Sequence, residues 1–197
     1  MILALDISSS KTGICFMNDD SSLYKILYID TQTNTKSKKE KYTDIYEKIK
    51  EVIKFFESYY KDNPDCPRIT EIHIEGPLSK YSPGRSSIHT LEVLFQMNYS
   101  ISFELFRIFE IKPIHWHPTT LRSHNGLKYK RGEDTKLLVY NFVCEKYPEF
   151  KDKCPQYSKT NPWIDVADAV IIARGAYLHK HSPIIHTKKN VTSKKNS

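Results

Sequence analysis

Four carboxylates of this 197-residue chain fall where an acidic side chain is costly. Asp6 lies in the apolar run Ile2-Leu3-Ala4-Leu5-Asp6-Ile7, and Glu75 closes Ile72-His73-Ile74-Glu75 just before Gly76-Pro77. Asp165 and Asp168 stand three apart near the head of an apolar helix, so they share one face. Asn161 is placed to cap that helix, with Pro162 at its first position, which sets both aspartates near the positive end of the helix dipole. The rest of the helix (Ala167, Ala169, Val170, Ile171, Ile172, Ala173) must pack on other apolar surface, and an aspartate pair beside it is unfavourable unless neutralised. Four acidic groups brought together repel, and divalent cations resolve the repulsion. Carboxylate oxygens suit Mg²⁺, with Mn²⁺ as a substitute. Two such ions about 3.5–4 Å apart can support phosphodiester hydrolysis. Each residue alone has a plainer reading: Asp6 as a turn former, Glu75 as a solvated strand end, Asp165 as a helix-terminal charge. Asp168, deeper in the apolar helix, is the hardest to dismiss, and the ordered set carries more weight than any member.

The elements that must position these groups follow from periodicity. Alternation predicts strands over 2–7, 14–18 and 23–31, forming an antiparallel meander. On the first strand Leu3 and Leu5 face one side, Ala4 and Asp6 the other. Ser37–Glu40 has the form of a helix-start signal ahead of Ile45, Ile49, Val52, Ile53 and Phe56 at helical spacing. A fourth strand over 69–75 puts His73 and Glu75 on one face. A long helix over 86–109, a short strand over 112–117, a brief helical segment from Pro118, a helix over 133–147 and a last helix to about His179 complete the order. Three strands followed by strand–helix alternation predict an α/β fold with a mixed five-stranded sheet flanked by helices, the order of the RNase H-like fold. Residues 1–181 read as one domain, and 182–197 as a basic, disordered tail.

The net charge of +7 favours an anionic partner, nucleic acid first, although Lys188, Lys189, Lys194 and Lys195 of the tail supply four of those charges. The four cysteines are scattered without a Cys-x-x-Cys pair, which points away from a zinc ribbon or a disulfide framework. The opening has no basic leader and no run is long enough to span a bilayer, so an intracellular protein, cytosolic or nuclear, is expected. His115 and His117 share a strand face without further zinc ligands nearby, and a structural role is the expectation.

Leu-Ala-Leu-Asp-Ile-Ser-Ser-Ser-Lys-Thr-Gly at 3–13, Ile-His-Ile-Glu at 72–75 and Asp-Val-Ala-Asp-Ala at 165–169 together resemble the motifs of the RuvC Holliday-junction resolvases. The resemblance covers about residues 1–178. It implies a Mg²⁺-dependent endonuclease that cuts four-way and other branched DNA, with Asp6, Glu75, Asp165 and Asp168 as metal-binding catalytic carboxylates, two ions per site, and a homodimer packed through the helix after Glu75. It also implies two basic residues near the scissile phosphate, here Arg122 and Lys136. Lys136 opens a helix at Gly132-Glu133-Asp134-Thr135-Lys136. Two features depart from the family: Ser8-Ser9-Ser10 replaces its early glycine, and only Leu78 or Tyr81 stands where it carries an aromatic wedge.

Two basic-aromatic loops add a DNA-binding expectation: one with Tyr81 and Arg85 beside Glu75, the other with Lys128, Lys130 and Arg131 beside Lys136. Three competing readings stay open. The Ser-Lys-Thr-Gly turn after Asp6 is also similar to the YqgF type linked to ribosomal RNA processing. A catalytically inactive junction-binding module would use the charge alone. A sugar- or acetate-kinase-like fold shares the opening, but it needs a second phosphate-binding domain for which this chain is too short.

Overall fold

Asp6 and Glu75 are neighbours because their strands run side by side. In the computed structural model, which describes residues 1–31, 41–76, 88–130 and 132–182 (the side chains of 41–44 excepted), β1 (Ile2–Ile7) pairs in parallel with β4 (Glu71–Glu75), Leu5 beside Ile74. On its other edge β1 pairs antiparallel with β2 (Lys11–Met17), Asp6 opposite Gly13, and β2 pairs antiparallel with β3 (Leu23–Asp30). β5 (Ile114–Trp116) joins β4 in parallel. The sheet order β3-β2-β1-β4-β5 places β1 at the centre, and the expected antiparallel meander is present. The α/β architecture with a mixed five-stranded sheet agrees with the sequence reading.

Strand alternation divides the core. Leu3, Leu5, Ile7, Ile14, Phe16, Ile72 and Ile74 face one side, where α1 (Lys41–Asp62) and α2 (Ile88–Phe109) cover them with Val52, Phe56, Ile101 and Leu105. Ile2, Ala4, Cys15 and Met17 face the other side, under α6 (Trp163–His181). The apolar face of α6 lies almost wholly on the sheet: Ala167, Ala169, Val170 and Ala173 are fully buried. Small residues at these positions let the helix approach the strands closely. α3 (Pro118–His124) and α4 (Thr135–Lys146) flank α6, and α5 (Pro148–Lys153) follows α4. No helix among the described residues is long and apolar enough to cross a membrane.

The departures from expectation are local. The strand expected over 112–117 spans only Ile114–Trp116, because His117 leaves it to cap α3, its Nδ1 accepting from the Thr119 amide. The two histidines therefore do not share a strand face. The helix expected over 133–147 begins at Thr135, where the Asp134 side chain accepts from the amides of Lys136 and Leu137. After it, Pro148 starts the separate turn of α5, whose Phe150 is fully buried. Six residues are too few to show helical periodicity, so α5 has no sequence signature. The Ser37–Glu40 signal and residues 183–197 of the expected tail lie outside the described residues.

Candidate active site

Parallel pairing of β1 and β4 brings both C-terminal ends to the same edge of the sheet, and with them Asp6 and Glu75. Opposite Asp6 stands Gly13. A Cβ on Gly13 would lie 2.2 Å from the carbonyl oxygen of Asp165 and 2.7 Å from the amide nitrogen of Val166. The first turn of α6 thus rests directly on the backbone of β2, in a contact that only glycine permits. The helix start is held as the sequence suggested: the Asn161 side-chain oxygen accepts from the Trp163 amide at 3.1 Å, with Pro162 between them in helical conformation. Lys11 Nζ donates to the Thr160 carbonyl at 3.0 Å and ties the same turn to β2.

This placement gathers three carboxylates. Oxygens of Asp6, Asp165 and Asp168 all lie within 4.8 Å of one another. α4 delivers the counter-charge: Lys136 Nζ is 3.0 Å from Asp165 Oδ1 and 3.8 Å from Asp168 Oδ2. Its N-cap Asp134 also accepts from Tyr157 Oη at 3.1 Å and pairs with Lys159 Nζ at 2.9 Å, which fixes the α4 start against the loop leading into α6. Glu75 lies outside the tight trio but lines the same cleft of ≈ 220 Å³, as do Arg122, Ser8 and Asn98.

The electrostatics follow from gathering four carboxylates against two cations, Lys136 and Arg122, among the described residues lining the cleft. Burial, then Glu75, Asp168 and Asp165, hold the Asp6 carboxyl well above the usual range. Burial and the Asp168 charge push Glu75 up to about 7, against the pull of Arg122 and Lys136. Burial raises Asp168 to about 6, although Lys136 and Arg122 oppose it. Burial alone would lower the Lys136 ammonium, but Asp168, Asp165 and Asp6 together raise it above its ordinary value. A cluster of hard oxygen donors with surplus negative charge fits a hard divalent cation. Asp6, Asp165 and Asp168 could hold one together, with Glu75 close by.

Other expected residues fall elsewhere. Lys128 and Lys130 are exposed on the segment after α3, and neither is among the residues lining the acidic cleft. Lys128 borders a separate depression with Thr119, Gly126 and Tyr129. The Lys130 amide donates to Glu133 Oε2 at 2.6 Å, closing the turn before α4. Tyr81, Arg85, Arg131 and Leu78 lie outside the described residues. Ser8 is a turn former, its hydroxyl donating to the Lys11 carbonyl and accepting from the Lys11 amide. His73 is buried, accepting from Trp116 Nε1 at 2.8 Å and bonded to Glu71 at 3.1 Å, in a network that reaches Lys180 of α6. His115 bonds to Ser102 at 2.9 Å. Both histidines are engaged by hydrogen bonds within the protein. Gly13 and Asn98 were not anticipated. Gly13 was visible only as the end of a turn, and Asn98 only as a polar residue within an apolar helix.

The sequence matches no family model and no curated protein. The fold is similar to that of RuvC from Thermus thermophilus. The structure described as that RuvC in complex with a Holliday junction substrate has a TM-score of 0.59 at 10% identity, covering 92% of this chain and 96% of that one. A second structure of the same RuvC gives 0.54 at 10% identity, covering 91% and 95%. The yeast mitochondrial Holliday junction resolvase Ydc2 gives 0.55 at 16% identity, covering 92% and 81%. The likeness runs through nearly the whole chain and is one of fold.

Proposed function

We propose that this chain is a Mg²⁺-dependent endonuclease that resolves four-way DNA junctions. The observation that carries the reading is the meeting of Asp6, Asp165 and Asp168 in one cleft with Glu75, Lys136 and Arg122. They sit on a fold shared with a RuvC bound to a Holliday junction and with a junction resolvase. A net charge of +7 suits a polyanionic substrate.

The four carboxylates would hold Mg²⁺, two ions in all, with Mn²⁺ as a substitute. Bound there, the metal would supply Lewis acidity toward the scissile phosphate and favour ionisation of the attacking water. The chain's own groups do the rest. Lys136 keeps its proton across the working pH range, and its ammonium offsets charge developing on the phosphate oxygens. Arg122 offers a fork of donors that fixes a phosphate in register. Asp168 is buried and Asp6 half-buried, which would limit bulk water around the reacting atoms. Lys128 and Lys130 extend the basic surface along which a DNA arm would lie.

Resolution of a four-way junction needs two cuts, and α2 offers a surface for a second copy. Phe95, Tyr99, Phe103 and Phe106 form a stripe at helical spacing. Tyr99 and Phe103 are exposed, and Phe106 is nearly half exposed. We read this stripe as the homodimer interface, with residues 1–181 as the catalytic unit.

The test is cleavage of labelled four-way, three-way and linear duplex DNA and of structured RNA, with Mg²⁺ and with EDTA. Mg²⁺-dependent cleavage that favours the four-way junction is expected. Preferential cleavage of RNA would instead support an RNA-processing role, and Mg²⁺-independent binding without cleavage would support an inactive junction binder.

A further inference from the structure

α2 passes the cleft with Met97, Asn98, Ile101, Ser102 and Leu105 buried. Asn98 is the polar amide in that row, only 2% exposed. Its Nδ2 donates to the Glu75 carbonyl at 3.0 Å. That bond fixes the orientation of the amide, because a carbonyl can only accept. Oδ1 therefore points away from the Glu75 backbone, and it has no hydrogen-bond partner among the described residues. Asn125, the other buried asparagine among the described residues, has both ends satisfied: Nδ2 donates to the Leu121 and Ile171 carbonyls, and Oδ1 accepts from Arg174. A buried amide oxygen without a donor costs stability, so its retention calls for a partner that the described residues do not supply.

Asn98 lines the acidic cleft. The cleft's other polar side chains are the four carboxylates, the Ser8 hydroxyl, and the cations Lys136 and Arg122, with Lys136 already engaged by Asp165. A small hard cation held by a few carboxylates keeps several hydration waters, and each water must donate to an acceptor. Asn98 Oδ1 is a neutral acceptor that adds no further repulsion to the acidic cluster. Resting on the metal-nuclease reading above, we infer that Asn98 is a further member of the cation site. It positions Glu75 through Nδ2 and accepts, through Oδ1, from a hydration water of the bound cation.

The test is Mn²⁺ titration of the DNA-free protein, followed by water-proton relaxation. Asn98→Leu removes both bonds and is expected to weaken Mn²⁺ binding by about tenfold, the low end for outer partners of a metal site. Asn98→Asp keeps an acceptor oxygen and removes the donor to Glu75, so it is expected to bind Mn²⁺ at least as tightly as the wild type. Ser102→Ala serves as the packing control, because Ser102 bonds the Asn98 backbone carbonyl yet does not line the cleft, and it is expected to leave Mn²⁺ affinity unchanged. Wild-type affinity in Asn98→Leu overturns the inference. Equal losses in Asn98→Leu and Asn98→Asp also overturn it, because they assign Asn98 to packing and backbone support alone. If Asn98→Leu does not fold, Asn98→Asp decides: affinity at or above that of the wild type upholds the inference, and a loss of affinity overturns it. A wild-type protein that binds no Mn²⁺ refutes the metal reading itself, whereas wild-type binding with an indifferent Asn98 refutes only this step.

Discussion

The α-carbon of Gly13 faces the Asp165 backbone so closely that a single added methyl would sit 2.2 Å from the Asp165 carbonyl oxygen. The three atoms nearest that methyl, the Asp165 carbonyl oxygen and carbon and the Val166 nitrogen, all belong to backbone, so the clash cannot be relieved by a rotamer change. Gly13→Ala should lift the start of α6, move Asp165 and Asp168 away from Asp6, and cost about 1–3 kcal/mol by overpacking. Thermal unfolding and cleavage rate should fall together. Gly76→Ala is the contrast: its nearest neighbour would be 3.4 Å away, at the edge of ordinary contact, and near-wild-type stability is expected.

Without metal, the site should destabilise the fold as pH rises. Glu75 is raised from 4.5 to about 7 and Asp168 from 3.8 to about 6, both first by burial, and Asp6 is raised for the same reason. Between the unfolded and folded values the native state binds more protons, so stability drops as pH climbs through that window. In EDTA, Glu75→Gln should melt above the wild type by several degrees at pH 8 and lose that advantage at pH 4.5. Other carboxylates, such as Glu71, are lowered and act in the opposite sense, which is why the difference between the two proteins is the quantity to follow. Adding Mg²⁺ at pH 8 should raise the wild-type melting temperature more than that of the variant.

Lys136 compensates Asp165 and Asp168 in the metal-free protein, and in the proposed reaction it would serve the phosphate. Lys136→Met should lower the melting temperature in EDTA, with Mg²⁺ recovering most of the loss. Cleavage with saturating Mg²⁺ should still drop by about 10²-fold, as expected when one preorganised charge is removed from a transition state. Single-turnover rates separate the two effects.

Binding to four-way DNA should weaken steeply with salt. Replacing Arg122 with Ala should reduce the slope of log affinity against log salt by about one, the value for a single phosphate contact. Lys128→Ala and Lys130→Ala should do the same if the DNA arm follows that surface, while leaving the cleavage rate of bound junction unchanged. Fluorescence anisotropy in Ca²⁺ measures both quantities.

The exposed stripe of α2 makes a prediction about assembly. Phe103→Glu places a charge in the middle of the proposed apolar interface, next to Tyr99 and Phe106 on the same face. Light scattering should show the wild type as a dimer and the variant as a folded monomer. A wild-type monomer at micromolar concentration would remove the dimer from the account.

The sequence showed most clearly those features that arise from local conflict. Asp6 and Asp168 stood out because each is a charge in an apolar element, and Asp165 because it shares a helical turn with Asp168. The central sheet was legible because alternation in β1, β2 and β4 is strong. Asn98 was not legible: its meaning depends on α2 crossing β4 at the level of Glu75, a tertiary relationship with no periodic trace. Gly13 was hidden for the same reason, since the approach of Asp165 comes from a segment about 150 residues away. Lys128 and Lys130 look close to Lys136 along the chain, but the turn closed by Glu133 carries them out of the cleft lining.

The most direct test is Asp6→Asn, which leaves shape and size nearly unchanged and removes the carboxylate that faces Glu75, Asp165 and Asp168. Cleavage of a labelled four-way junction in Mg²⁺ should be lost while junction affinity in Ca²⁺ stays close to that of the wild type. Cleavage by Asp6→Asn at the wild-type rate would contradict the assignment of this cleft as the place where the phosphodiester is hydrolysed.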